Sequence, residues 1–388
     1  MSRPCPVCGN MLYEKIRSIH MILPQNIPLP DQYDIVSCKR CGFCYANTSA
    51  RQTDYDVYYS VYNTYSGATD KALPRVFESI REFVVENVSS YDRILDIGFG
   101  KGKLLLYLQE LGYNSLTGVD PSQHSVDRVC AMGIEAYRKS VYDEPGALTG
   151  CFDLVFLTSV LEHLLYPKVA IMRASSYLKN NGYLIIDVPD YAQCCKVNLP
   201  IPNQFNQEHI NYFSENSFMS LISTADFQML YSKSIELKTT SNRGLEYSKM
   251  FVLQKSVQGN RPISIRKDLQ TKDSIECYLF RQEAQQEKMT NTIGELCAKQ
   301  TPLLVWGSGA LAMSLFASTD LQKCNIAAFV DGNPLKVGNI IYDRVILAPE
   351  EVKNYPDATI LICAMQYSLE IKSRIAELGL KNRVISLV

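Results

Sequence analysis

Two cysteine pairs, Cys5-x-x-Cys8 and Cys38-x-x-Cys41, are each followed by glycine. The glycine relaxes the backbone after the second sulfur, and two such knuckles bring four thiolates to one tetrahedral ion. Cys5, Cys8, Cys38 and Cys41 are therefore expected to hold a structural zinc, because four thiolates leave no coordination position for chemistry. A second stretch, "DIGFGKG", opens with Asp96 and sets Gly98, Gly100 and Gly102 where the backbone could approach a ligand at a helix N-terminus. A third, "NQEHINYFS", places Glu208 beside His209 in a chain with only four histidines. An imidazole with a carboxylate neighbour can take a proton near neutral pH. The plainer reading is a loop that caps the helix beginning near Ser214.

Regular elements must position these groups. "RVFESIREFVVENV" has helical apolar spacing, and "RILDIGFGKGKLLLYLQELG" reads as strand, loop and helix ended by Gly112. A second strand, "SLTGVD", carries Asp120 at its tip, where an acid suits ribose hydroxyls. "MLYSKSIEL" and "EYSKMFVLQK" read as the last strands of this unit, and "KSVQGNRPIS" as a linker. A helix follows with Ile275, Leu279, Met289, Ile293 and Leu296 on one face. Beyond Pro302, "LLVWGSGALAMSLF", "AAFVDGNP", "ATILICA" and "RVISLV" form a second α/β unit. Its Gly307, Gly309 and Asp331, taken alone, would suggest a dinucleotide. The tyrosine-dense "DYDVYYSVYNTYSG" after the knuckles could wall a polar ring-shaped ligand, or pack the cysteine module on its neighbour.

The fold class expected is α/β: a Rossmann-like core with a small N-terminal zinc module and a second Rossmann-like C-terminal domain. The divisions fall at 1–70, 71–258 and 259–388. Asp96 narrows the ligand of the core. A carboxylate there would repel a pyrophosphate but attract an ammonium and a sulfonium. The run resembles the first motif of class I S-adenosylmethionine-dependent methyltransferases, with "CFDLVFLTSVLEHL" similar to that family's fourth strand and "LKNNGYLIIDVPD" to its fifth. The resemblance implies S-adenosylmethionine as cofactor. Asp120 would bind its ribose, and Asp96, Gly98, Gly100 and Gly102 its methionine part. Val141, within Ser140–Tyr142, would edge the adenine, and Ser159 after the fourth strand would complete the set. His163, in "VLEHL", is a second candidate base or a cofactor edge. An oxidoreductase using either glycine loop for NAD is the reading from another class.

The three-part layout around "EHINYFS" resembles the nucleotide-sugar C-methyltransferases of deoxysugar pathways. It implies that His209 removes a proton from the carbon beside a sugar ketone, with Glu208 its polar neighbour and Tyr212 and Phe213 a wall behind. Where that family shows a Tyr-His step, this chain has Asn206 and Gln207, and "TSVLEH" is closer to small-molecule O-methyltransferases. Transfer to an oxygen or nitrogen of a saccharide or small metabolite is therefore the alternative.

Net charge is -1 and the pI is near 6.5, so no basic footprint for nucleic acid is expected. Thirteen cysteines, an odd count behind a start without signal-peptide character, favour metal binding over a disulfide framework. No apolar run is long enough to span a bilayer. The expectation is a cytoplasmic enzyme, monomeric or homodimeric, acting on a small-molecule substrate.

Overall fold

The computed structural model describes residues 3–24, 26–62, 75–238, 245–256, 265–364 and 367–387. The end of the tyrosine stretch from Asn63, the expected divisions at 70/71 and 258/259, and most of the expected linker lie outside the described residues.

An antiparallel sheet opens the chain: β1 (Tyr13–His20), β2 (Gln32–Cys38) and β3 (Cys44–Asn47). Helix α1 (Gln52–Val57) runs into a π-helical turn over Tyr58–Tyr62. Helix α2 (Arg75–Asn87) buries Val76, Phe77, Ile80, Phe83 and Val84, the stripe its sequence periodicity requires. The central unit then alternates β4 (Ile94–Ile97), α3 (Lys103–Glu110), β5 (Leu116–Asp120), α4 (Gln123–Ala131), β6 (Glu135–Arg138), β7 (Phe152–Thr158), α5 (Pro167–Tyr177) and β8 (Leu178–Pro189). After helix α6 (Ile201–Gln204) come the two-residue β9 (Asn211–Tyr212), α7 (Glu215–Leu221), β10 (Phe227–Lys238) and β11 (Leu245–Lys255).

The seven-stranded sheet runs β10-β11-β8-β7-β4-β5-β6. The strands from β8 to β6 are parallel, and β11 lies antiparallel against β8. All four residues of β4 are buried, as a strand covered on both faces demands. The order reverses beside β4, and there the carboxyl ends of parallel strands open a crevice. This is the Rossmann-like core sheet expected from the sequence.

Helix α8 (Gln270–Lys299) buries all five residues of the expected stripe. A second sheet follows with β12 (Leu303–Trp306), helix α9 (Ala310–Ser318), β13 (Ile326–Val330), β14 (Ile340–Ile341), β15 (Arg344–Leu347), β16 (Thr359–Ile362), helix α10 (Ser368–Glu377) and β17 (Val384–Ser386). Its order is β14-β15-β13-β12-β16-β17. Four of its five pairings are parallel; β14 with β15 is antiparallel.

The N-terminal sheet does not stand apart from the core. Strand β9 pairs antiparallel with β3, matching Cys44 to Tyr212 and Tyr45 to Asn211. Buried Cys5, Val7, Phe43 and Tyr45 share one apolar cluster with Leu95, Leu157 and Ile186 of the central sheet. A single disulfide joins Cys195 to Cys277 of α8, a pairing the sequence reading did not anticipate, and the other eleven cysteines are free.

Asp268 ties three elements together. Its N–H donates to Cys41 O, and its carboxylate accepts from the hydroxyls of Ser214 and Thr271. Gly42, at φ 75°, sits so close that a Cβ would fall 1.9 Å from Asp268 O. Gly42→Ala is therefore expected to cost about 2–4 kcal/mol, from left-handed strain plus backbone overlap. Gly9→Ala, at φ 72° with nothing within 4 Å, should cost only about 1–2 kcal/mol. Urea unfolding followed by circular dichroism measures both.

Candidate active site

At the carboxyl end of β4 the loop turns through three left-handed glycines, Gly98 (φ 75°), Gly100 (φ 53°) and Gly102 (φ 74°). The close neighbours are the protein's own. A Cβ on Gly98 would lie 2.7 Å from Val160 Cγ2, and one on Gly102 2.5 Å from Val129 Cγ2. Glycine is required here by packing as well as by dihedral angle, which the sequence reading had ascribed to ligand approach alone.

Asp96 and Asp120, at the ends of β4 and β5, are 1% and 2% exposed. Asp120 accepts from the N–H groups of Gly100 and Ser122, both at 2.9 Å. Asp96 Oδ1 is buried and has no hydrogen-bond partner among the described residues. Burial, and then the charge of Asp120, push the Asp96 carboxyl up to about 8, and burial also raises Asp120. An orphaned acceptor in acidic surroundings fits a cationic, amine-bearing ligand and disfavours a diphosphate. Val141 sits in a turn beside Asp120: Lys139 N–H donates to Asp120 O, and Ser140 N–H to the Asp143 carboxylate. Ser159, directly after β7, holds a left-handed φ of 53° while its N–H donates to Asp187 O. Such a conformation costs about 1–3 kcal/mol in a non-glycine residue and tends to mark functional turns.

Val160, which touches Gly98, leads into a 3-10 turn over Leu161–His163. The two candidate histidines meet there. The His163 and His209 rings are edge-to-face with centroids 4.9 Å apart. His163 Nδ1 lies 3.0 Å from Glu208 O, and since a carbonyl only accepts, Nδ1 carries the proton and Nε2 keeps a lone pair. Burial drives both imidazoles toward the neutral form, His163 down to about 4 and His209 down to about 3, the latter helped by His163. His209 does not cap the following helix. Ser214 does, accepting from Ser217 N–H. The 206–209 loop is shaped instead by Asn206 Oδ1, which accepts from the N–H groups of Glu208 and His209, both at 2.8 Å.

Around the pair stand Glu162, which local sequence did not single out, and tyrosines of the stretch that it did. Glu162 is 1% exposed, its Oε2 has no partner, and burial raises its carboxyl well above the usual range. Tyr59 packs edge-on against His163, and Tyr58 donates to Glu208 Oε1 at 2.6 Å. Tyr55 is buried and donates to Gln207 O, so the tyrosine stretch both packs and lines. Tyr212 and Phe213 are fully buried, consistent with a wall.

Arg3 locks this arrangement. Its guanidinium donates to Ala46 O and Ile210 O from Nη1, and to Leu164 O, Leu165 O and Asn211 Oδ1 from Nη2. Asn211 Nδ2 in turn donates to Leu161 O and Leu164 O. The turn bearing His163 and the strand after His209 are thus held by one side chain from the N-terminal module.

The four knuckle thiols also converge. Cys5 and Cys41 sulfurs are 3.5 Å apart, as are those of Cys8 and Cys38, and all four lie within 4.8 Å of one another. That spacing fits a tetrahedral ion with metal–sulfur bonds of about 2.3 Å. In the C-terminal unit, by contrast, Asp331 is occupied by the Ser308 N–H and hydroxyl, Asn333 N–H and Lys336 Nζ. The acid that might have taken a ribose is spent on holding its own glycine turn.

Residues 68–232 match the family model described as a methyltransferase domain, a span that includes Asp96, Asp120, His163 and His209. Residues 299–386 match a model described as C2185-like, N-terminal. No curated protein sequence matches the chain. Among solved structures, an S-adenosylmethionine-dependent methyltransferase of Methanosarcina mazei is 18% identical over 45% of this chain and 98% of its own, with TM-score 0.38. The Burkholderia thailandensis 1,6-didemethyltoxoflavin-N1-methyltransferase, solved with 1,6-didemethyltoxoflavin and S-adenosylhomocysteine, is 16% identical over 56% of this chain and 96% of its own, with TM-score 0.39. A Mesorhizobium loti S-adenosylmethionine-dependent methyltransferase is 13% identical over 42% and 91%, with TM-score 0.35.

Two outcomes follow from this geometry. Burial pushes the Asp96 carboxyl up to about 8, so a cationic donor seated on it would have to displace a proton below that pH. S-adenosylmethionine affinity, measured by calorimetry, should therefore rise with pH by up to about tenfold per unit and level off above pH 8. Asp96→Asn should weaken binding and flatten the slope. Arg3→Lys, which cannot reach the same five acceptors, should cost about 2–4 kcal/mol in urea unfolding. It should also lower turnover more than donor affinity, because it loosens the histidine pair and not the glycine loop.

Proposed function

We propose that this S-adenosylmethionine-dependent methyltransferase places its methyl group on a carbon beside the ketone of a nucleotide-linked sugar, with His209 as general base. The observation that carries the reading is the meeting of His209 and His163 in a tyrosine-lined, half-buried pair, with His163 three residues after Val160, the neighbour of Gly98.

Asp96, Gly98, Gly100, Gly102, Asp120, Val141 and Ser159 are assigned to the donor. When bound, its sulfonium supplies an electrophilic methyl group to whichever acceptor atom presents an electron pair. The protein's own work is to make that pair available and hold it in line. His209, neutral and half-buried, has no side-chain hydrogen bond to its ring among the described residues, so its lone pair is open to an acidic C–H. Taking the proton leaves an enolate on the acceptor and an imidazolium beside Glu208, whose charge stabilises it. Tyr58 fixes the Glu208 carboxylate, and the His163 bond to Glu208 O fixes the backbone that carries both. Burial around the pair excludes water that would reprotonate the enolate carbon.

The four knuckle cysteines are proposed to hold a structural zinc. Asn10 Nδ2 donates toward Cys38 Sγ at 3.7 Å, the kind of outer contact that supports a bound thiolate. The ion would fix the start of the chain, and with it Arg3, two residues before Cys5.

His209→Ala should lower turnover by about 10²–10⁴-fold while donor affinity changes little. Incubation with methyl-labelled donor and a panel of keto-sugar nucleotides and their reduced counterparts should give label on carbon from the keto forms only. Label on a hydroxyl of a reduced sugar, with His209→Ala still active, would assign transfer to oxygen instead.

A further inference from the structure

We propose that Glu162, His163 and His209 form a binding site for one divalent transition ion, distinct from the four-cysteine cluster. Each residue offers one ligand atom, and the three atoms lie within 4.8 Å of one another. Glu162 Oε1 is 3.7 Å from His163 Nε2, too long for a hydrogen bond but suited to two atoms sharing an ion. With metal–ligand distances of about 2.1 Å, such atoms sit roughly 3–4 Å apart.

Two further observations point the same way. Glu162 is 1% exposed and its Oε2 has no partner, a condition that buried carboxylates avoid unless they are paired or bind a metal. His163 donates its Nδ1 proton to Glu208 O, which turns the Nε2 lone pair toward the carboxylate; metal-ligating histidines habitually donate their second N–H in this way. The ligands come from two segments, and the backbone between them is already pinned. Ile210 N–H donates to Glu162 O at 2.8 Å, and Asn211 and Arg3 bind the carbonyls of Leu161, Leu164 and Leu165. A donor set of two imidazoles and one carboxylate selects zinc, cobalt, nickel or iron over magnesium or calcium, and leaves coordination positions open.

Binding at this site needs no assumption about the acceptor; only its effect on turnover rests on His209 as the base. A lone pair committed to an ion cannot take a proton, so occupancy by metal and base catalysis exclude one another.

The test uses the full chain with its cysteine cluster loaded with zinc, titrated with Co²⁺ and read by calorimetry and visible absorption. One further equivalent should bind and show d–d bands without thiolate charge transfer. Glu162→Gln and His163→Gln should each weaken that binding at least about tenfold. Circular dichroism and S-adenosylmethionine affinity serve to verify the fold, and His209→Gln replaces either variant that fails them. The proposal is overturned if no cobalt binds beyond the cysteine cluster, if all added cobalt shows thiolate bands, or if the variants bind as the parent does. Turnover in the same samples separates the two readings: inhibition by bound cobalt agrees with a base at His209, whereas activation would remove that role and leave the metal site standing.

Discussion

A charged guanidinium taken out of water costs several kcal/mol unless its donors are met, and Arg3 is buried where only backbone and one amide can meet them. Burial lowers its pKa, yet an arginine side chain stays protonated inside proteins, so the charge is present and must be accommodated. Five acceptors converge on it from β3, from the turn after β7 and from the segment entering β9. The three segments have no covalent reason to lie together. Their joint arrangement supplies acceptors to both terminal nitrogens of this ion, beside the β3–β9 pairing and the Asn211 bonds that hold the same segments. The position of His163 relative to His209 is a consequence.

The site that results separates charge into two regions. At the ends of β4 and β5 two carboxyls share a buried space, one of them satisfied by N–H groups and the other open. One turn away two imidazoles are held neutral by burial. The first region favours a cation, and the second can accept a proton or an ion. Val160 against Gly98 is the van der Waals contact through which the two regions are set side by side. A larger residue at Gly98 would press on Val160 and so on the turn that carries Glu162 and His163.

Legibility from sequence followed the range of the interaction. The strand-loop-helix around Asp96, the stripe on α8 and the cysteine knuckles are all set within a few residues or by simple periodicity, and each lies where expected. His163 and His209 were each readable as candidates, but their meeting was not, because it depends on contacts 161 to 208 positions apart in the chain. Arg3 and Glu162 carry no local signal of their own, because neither a charge ahead of a cysteine nor an acid beside a histidine shows that it is buried. Asn206 departs from the pattern that its loop resembles, and its side chain accepts from the N–H groups of Glu208 and His209. Asp331, which taken alone would suggest a ribose contact, is already held by Ser308 and Lys336.

Strand β9 explains why the N-terminal sheet cannot be treated as an appendage. It is only two residues long, too short to hold a ladder by itself, and its pairing with β3 survives because Asn211 is also bound by Arg3 and binds two carbonyls of the β7 turn. Tyr212, its other residue, is buried against Tyr191 and Phe205 of the core segment that precedes it. Side-chain bonding therefore supplements the short pairing by which this segment joins the N-terminal sheet. Any event that frees the start of the chain acts, through Arg3, on the segment that follows His209.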